Sequence, residues 1–148
     1  MTIHATCVVI GEAGVLIRGP SGAGKSRLAR ELLAAAEAAG RFARLVSDDR
    51  TAVDARHGRL VARSVAAIEG RIEVRGVGIV ARPFEGAAVV RLVVDCGETS
   101  GARHPEEAEG TAEVEGVRLP RLVHHGESGF APVVLWRLRD LCDTWPTV

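Results

Sequence analysis

Apolar positions along the chain fall into short runs separated by glycines, with two stretches in which they recur at helical spacing. "IHATCVVI" at 3–10 and "GVLIR" at 14–18 favour strands, and "GEAG" between them supplies a turn, so the opening reads as a hairpin. From Ser26 the character changes. Leu28, Leu32 and Ala36 recur every four residues among Ala, Arg and Glu, and Gly40 offers a stop, which predicts a helix over 26–40. "ARLVSDDR" at 43–50 is an apolar run ending in two carboxylates, and "TAVDARHGRLVARSV" at 51–65 reads as two strands about the turn "ARHG".

Polar and apolar residues alternate in "GRIEVRGVGIVARPF" at 70–84, whereas "AAVVRLVVDCG" at 87–97 is more continuously apolar, as a central strand is. Both runs are expected to join one substantial sheet. "GETSGARHPEEAEGTAEVEG" at 97–116 is rich in Gly, Glu, Ser and Thr and reads as a weakly ordered surface segment. The tail "APVVLWRLRDLCDTW" restores a helical stripe of Val134, Leu138, Leu141 and Trp145, with Pro132 near the first turn. Strand, glycine loop, helix and further strands predict an α/β fold, a mixed sheet with flanking helices, in a single domain over 1–148.

Composition narrows the function classes. Nineteen basic and nineteen acidic side chains give a formal charge of zero, so no general attraction to nucleic acid or anionic membrane is written into the chain. Three Phe, two Trp and no Tyr leave few platforms for stacking bases. No apolar run approaches the ~20 residues of a membrane span, and "MTIHATCVVIGEAG" lacks the charged start of a secretory signal, so a cytoplasmic protein is expected. Cys7, Cys96 and Cys142 are odd in number and form no CxxC pair, which suits reduced packing residues.

The densest chemistry lies in "GPSGAGKS", where Gly19, Pro20, Ser21, Gly22, Ala23, Gly24, Lys25 and Ser26 satisfy G-x-x-x-x-G-K-[ST] between a predicted strand and a predicted helix. Glycines let backbone N–H groups curl around phosphate oxygens, and the helix that follows directs its free N–H groups and positive dipole end at the same anion. Lys25 supplies a point charge for the β and γ phosphates, and Ser26 a hydroxyl for Mg²⁺. The loop specifies a nucleoside triphosphate without choosing among kinase, ATPase and GTPase.

Other polar residues are ambiguous alone. "SDDR" is also a common solvated turn. On a regular strand Asp48 and Asp49 would point to opposite faces. His4 reads equally as an ordinary strand histidine. Glu73 and Arg75 alternate onto one face, where a carboxylate and a guanidinium suit a metal and a phosphate or simply water.

Taken together and in this order, "HAT" from His4, the glycine loop, "VSDDR" and "IEVRGVGIV" at 72–80 resemble the catalytic domain of the HPr kinase/phosphorylase family, bacterial enzymes that phosphorylate a serine of the phosphocarrier HPr. The resemblance covers about residues 3–95, and the chain looks like a short, catalytic-domain-only form. It implies that the loop with Lys25 binds ATP, that Ser26 and Glu73 hold Mg²⁺, and that Asp49 takes the serine proton with Asp48 and His4 beside it. It also implies an HPr-like phosphocarrier as protein partner within a phosphotransferase system and a homo-oligomer, hexameric in the family.

Two departures stand out. Arg27 replaces the acidic residue that usually follows the loop serine, and "LPRLVHHGESG" at 119–129 replaces an Arg-rich loop tied to phosphorolysis of phosphoserine. A histidine pair is neither a fixed charge nor a bidentate phosphate fork, so the change argues against phosphorylase activity. No third metal ligand accompanies His124 and His125 at a recognised spacing. The expected function is an ATP- and Mg²⁺-dependent serine kinase acting on an HPr-like carrier. A P-loop small-molecule kinase and a non-catalytic, nucleotide-dependent carrier-binding module are the alternatives.

Overall fold

The computed structural model describes residues 1–97 and 110–142. Strands β1 (Thr2–Ile3), β2 (Ala5–Ile10) and β3 (Ala13–Arg18) open the chain, with β2 and β3 paired antiparallel as the expected hairpin. Helix α1 (Lys25–Ala38) follows and buries Leu28, Leu32 and Ala36, the predicted stripe. After it come β4 (Ala43–Ser47), β5 (Thr51–Arg56) and β6 (Arg59–Arg63), the last two forming a hairpin about His57 and Gly58. The chain continues through β7 (Arg71–Val74), β8 (Gly78–Ala81), β9 (Ala87–Cys96), β10 (Thr111–Val114), β11 (Val117–His124) and helix α2 (Phe130–Leu141).

Among the described residues nine strands form one sheet, in which β1, β5, β6, β9, β3, β2 and β4 follow one another while β11 adds to β9 and β10 to β11. β9 is its hub: Ala87–Val89 pair with β6, Val90 and Leu92–Asp95 with β3, and Val93–Cys96 with β11. Side chains alternate along these strands, so the sheet carries a core on each face. Val15, Ile17, Leu92 and Val94 pack with α1 and α2 residues such as Leu32 and Leu138, while Leu16, Val93, Leu60 and Leu119 fill the other side.

Two expectations change. β7 and β8 form a separate two-stranded ribbon rather than part of the main sheet. Ile72, Val74 and Val80 anchor its inner face to the helix-side core, so the alternation of this segment reflects a ribbon lying on the domain. Within 97–116, Thr111–Val114 is a regular strand with Ala112 and Val114 buried; its two apolar residues suffice because β11 pairs along its whole length. The rest of that segment from 98 to 109 lies outside the described residues, as does Trp145.

Direction matters more than strand count for the site. β3 is parallel to β9, β11 is parallel to β9, and β4, like β3, runs antiparallel to β2. The carboxyl ends of β3, β4, β9 and β11 therefore share one edge, where open α/β sheets place ligands. Among the described residues no helix is long and apolar enough to cross a membrane.

Candidate functional site

Arg18 ends β3 and the chain turns at once into the glycine loop. Gly19 has φ 149°, and a Cβ there would lie 2.5 Å from the carbonyl oxygen of Cys96, so the loop can leave β3 against the end of β9 only through glycine. Gly24 caps α1 in the left-handed region, accepting a hydrogen bond from the Leu28 N–H at 2.9 Å. Within the curl Lys25 is 5% exposed, and its ammonium donates to the Pro20 carbonyl at 3.1 Å and lies 3.4 Å from Asp49 Oδ1. The loop thus gathers a buried cation and a helix N-terminus at one point.

β4 ends at Ser47, and Asp49 adopts φ 65°, a left-handed conformation that Asp tolerates better than most residues. Strand alternation therefore does not govern the acidic pair. Asp48 turns inward, 8% exposed, and is fully engaged: Oδ1 accepts from Thr6 Oγ1 at 2.9 Å and Ser26 Oγ at 2.6 Å, and Oδ2 from the Glu73 N–H at 3.1 Å. Asp49 turns outward. Its N–H donates to Thr6 Oγ1 at 3.0 Å, and its carboxylate meets His4 Nε2 at 2.7 Å. One carboxylate is spent on architecture and its neighbour is left facing the solvent.

Lys25 and Asp49 border a cavity of about 450 Å³ whose wall includes the loop from Ser21 to Ser26, Arg27, Arg30, Glu73, Arg75, His124 and Glu127. Lys25, Ser26, Asp48, Asp49, His4 and Glu73, singled out in the sequence, thus come together at one end of the domain. Of the histidine pair only His124 reaches the cavity. Its ring stacks on Phe130, centroids 4.4 Å apart, and Nδ1 lies 3.6 Å from Glu127 Oε1. The N–H of His125 donates to Glu127 Oε2 at 2.9 Å, and Glu127's own backbone N–H, then that of His125 and the His124 ring, hold the Glu127 carboxyl below its usual range. A second cavity of about 400 Å³, lined by Val9, Phe42, Val61 and Val89 among others, carries none of these groups.

Behind the loop lies a cluster that the sequence does not announce. Arg18 grips Asp95 with Nε and Nη2 at 2.8 and 2.9 Å, and Arg121 Nε donates to Asp95 Oδ2 from the other side. Burial opposes ionisation of Asp95, but the hydrogen bonds and charges of the two guanidiniums outweigh it and keep its carboxyl below the ordinary range. Two Arg and one Asp leave one positive charge in excess beneath the strand ends that frame the loop. Thr6, whose hydroxyl links Asp48 to the Asp49 backbone, carries no signal in the sequence either. Burial pushes the Cys7 thiol to about 12, and burial with the Asp95 charge pushes Cys96 to about 12, as expected of inert packing residues.

Fold and site together define an α/β domain with a glycine loop at the carboxyl edge of its parallel strands. The family model for the HPr Serine kinase C-terminal domain matches residues 1–92, and the chain belongs to that family. It is 40% identical over 78 residues to the HPr kinase/phosphorylase of Clostridium beijerinckii, covering 53% of this chain and 24% of the relative. It is 35% identical over 132 residues to that of Streptococcus thermophilus LMD-9, covering 82% of this chain and 41% of the relative. The chain thus spans between about a quarter and two-fifths of the length of these curated relatives. A solved structure of the Hpr(Ser) kinase/phosphatase from Coxiella burnetii shares the fold, with a TM-score of 0.73 and 22% identity, over 95% of this chain and 89% of that one.

Proposed function

We propose that this domain is a cytoplasmic ATP- and Mg²⁺-dependent kinase that phosphorylates a serine of an HPr-like phosphocarrier. The observation that carries the reading is Asp49, an outward carboxylate held at 2.7 Å from His4 and 3.4 Å from Lys25 at the rim of the glycine-loop cavity. Phosphoryl transfer asks for an in-line nucleophile, charge across the phosphates and one positioned base, and little covalent chemistry beyond that. Asp49 takes the proton of the acceptor hydroxyl as its oxygen bonds the γ phosphorus and the bond to the departing nucleoside diphosphate breaks. His4 fixes the carboxylate, and Lys25 moves from its loop carbonyl to the incoming phosphates.

The donor set fits magnesium. Ser26 donates its hydroxyl hydrogen bond to Asp48, leaving its oxygen lone pairs for a cation, and Glu73 stands in the cavity wall while its own N–H is tied to the same Asp48. Hard oxygens from one hydroxyl and one carboxylate, completed by phosphates and water, are what Mg²⁺ ordinarily takes. When bound, the ion supplies positive charge across the β and γ phosphates.

The His124–Glu127 turn offers a titratable ring and a carboxylate in place of fixed cations, which supports forward transfer over phosphorolysis. Intact-mass spectrometry of HPr after incubation with this protein, ATP and Mg²⁺, with fragmentation to locate the phosphate, tests the reading. A serine-linked gain is expected; no gain, while an established HPr kinase succeeds on the same carrier, overturns it.

A further inference from the structure

The outer face of the β7–β8 ribbon carries two kinds of surface. Glu73 and Ile79 are cross-strand partners, so their side chains stand on the same face. The neighbouring partners Ile72 and Val80 turn the opposite way, into the core. On the outer face Glu73 and Arg75 border the cavity, yet Ile79 beside them and Val77 at the ribbon tip are each 72% exposed. Among the described residues only Met1 is a more exposed large apolar side chain. Scattered surface apolar residues need no explanation, but these two stand together beside a polar cavity.

We propose that Val77 and Ile79 are the docking platform for the protein that presents the acceptor hydroxyl. The partner carries an apolar patch beside its serine with carboxylates at the margin, facing Arg71 and Arg75, which flank the platform. The proposal rests on the kinase reading and makes the acceptor a folded protein rather than a small molecule. A ligand confined to the cavity touches neither residue, because neither lines it. A specific protein contact covers ~800 Å² on each side, so a partner serine brought to Asp49 spreads its surroundings over the cavity lip and onto this face. A second copy of the chain is the competing occupant, and sedimentation separates it from a protein acceptor.

The test is the affinity of HPr for the protein by titration calorimetry, with Mg²⁺ and a non-hydrolysable ATP analogue present. Val77→Thr together with Ile79→Thr keeps both positions β-branched, so the ribbon holds its pairing while its apolar surface shrinks. The dissociation constant for HPr is expected to rise at least about ten-fold, as when hot-spot contacts are removed, while that for the analogue stays constant. Ile79→Glu is expected to weaken HPr more than Ile79→Lys does. Unchanged HPr affinity in the double Thr variant, or no HPr binding by the wild type, overturns the platform. So does a change in sedimentation of the free protein without a change in HPr affinity, which would assign the face to contacts between copies. If HPr binds the wild type more tightly than the variants but acquires no phosphoserine, the kinase reading falls and the platform stands.

Discussion

Ser26 Oγ donates to Asp48 Oδ1 at 2.6 Å, joining the first turn of α1 to the end of β4. The same oxygen accepts from Thr6, and the other Asp48 oxygen holds the Glu73 backbone. One buried carboxylate therefore sets the positions of both proposed magnesium ligands without touching the metal. Asp48→Asn keeps the shape but leaves one acceptor oxygen where two were used. Half-saturation of transfer by Mg²⁺ is expected to shift upward about 10–100-fold, in the range for outer partners of metal ligands. A titration at saturating ATP measures it, and an unchanged Mg²⁺ requirement would separate Asp48 from the metal site.

Asp49 is predicted to behave differently. Asp49→Asn removes the proposed base and leaves the Thr6 hydrogen bond to the backbone in place. Turnover should fall about 10²–10⁴-fold, the usual worth of a positioned acid or base. Nucleotide affinity should hold or improve, because the carboxylate beside Lys25 loses its charge. Single-turnover transfer together with equilibrium binding of an ATP analogue distinguishes the two effects. Weak nucleotide binding with intact turnover per bound nucleotide would reverse the assignment.

Much of this site is legible in the sequence because its signals are local. The glycine loop announces itself through glycines at positions needing left-handed backbone and through the strand and helix beside it. The inward and outward roles of Asp48 and Asp49 are not legible, since they depend on where β4 stops and on the positive φ at Asp49. Thr6 is hidden for another reason. In "HATC" it looks like any strand threonine, and only pairing of β2 with β4 brings its hydroxyl to the acidic pair. The Arg18–Asp95 grip spans 77 residues and follows from β3 lying parallel to β9, which no short window of sequence contains.

The loop glycines are expected to fail in different ways. Gly22→Ala meets no atom within 4 Å but forces an L-residue to φ 82°, a strain of about 1–2 kcal/mol. Gly19→Ala must also separate the loop from the Cys96 carbonyl, against which its Cβ would lie at 2.5 Å. Thermal unfolding should show the larger loss at Gly19, and because the displaced strand end frames the loop, ATP affinity should fall with it. Equal losses at the two positions would remove the steric argument.

The Arg18–Asp95–Arg121 cluster predicts how the domain responds to acid. The Asp95 carboxyl titrates below its ordinary value in the folded chain. Its contribution to stability is thus complete above the unfolded value of about 3.9 and is lost as pH falls through the lower folded value. Asp95→Asn should remove this part of the pH dependence and also lower stability at neutral pH, since the buried Arg121 and the half-buried Arg18 guanidiniums then share no counter-charge. Breaking a buried pair costs about 3–5 kcal/mol, far above a surface ion pair. Denaturant unfolding of wild type and variant at pH 7 and at pH 3 measures both effects, and the gap between the two proteins should narrow at the lower pH. A constant gap would mean that the folded and unfolded chains protonate Asp95 alike, which would overturn the ion-pair role and leave packing alone.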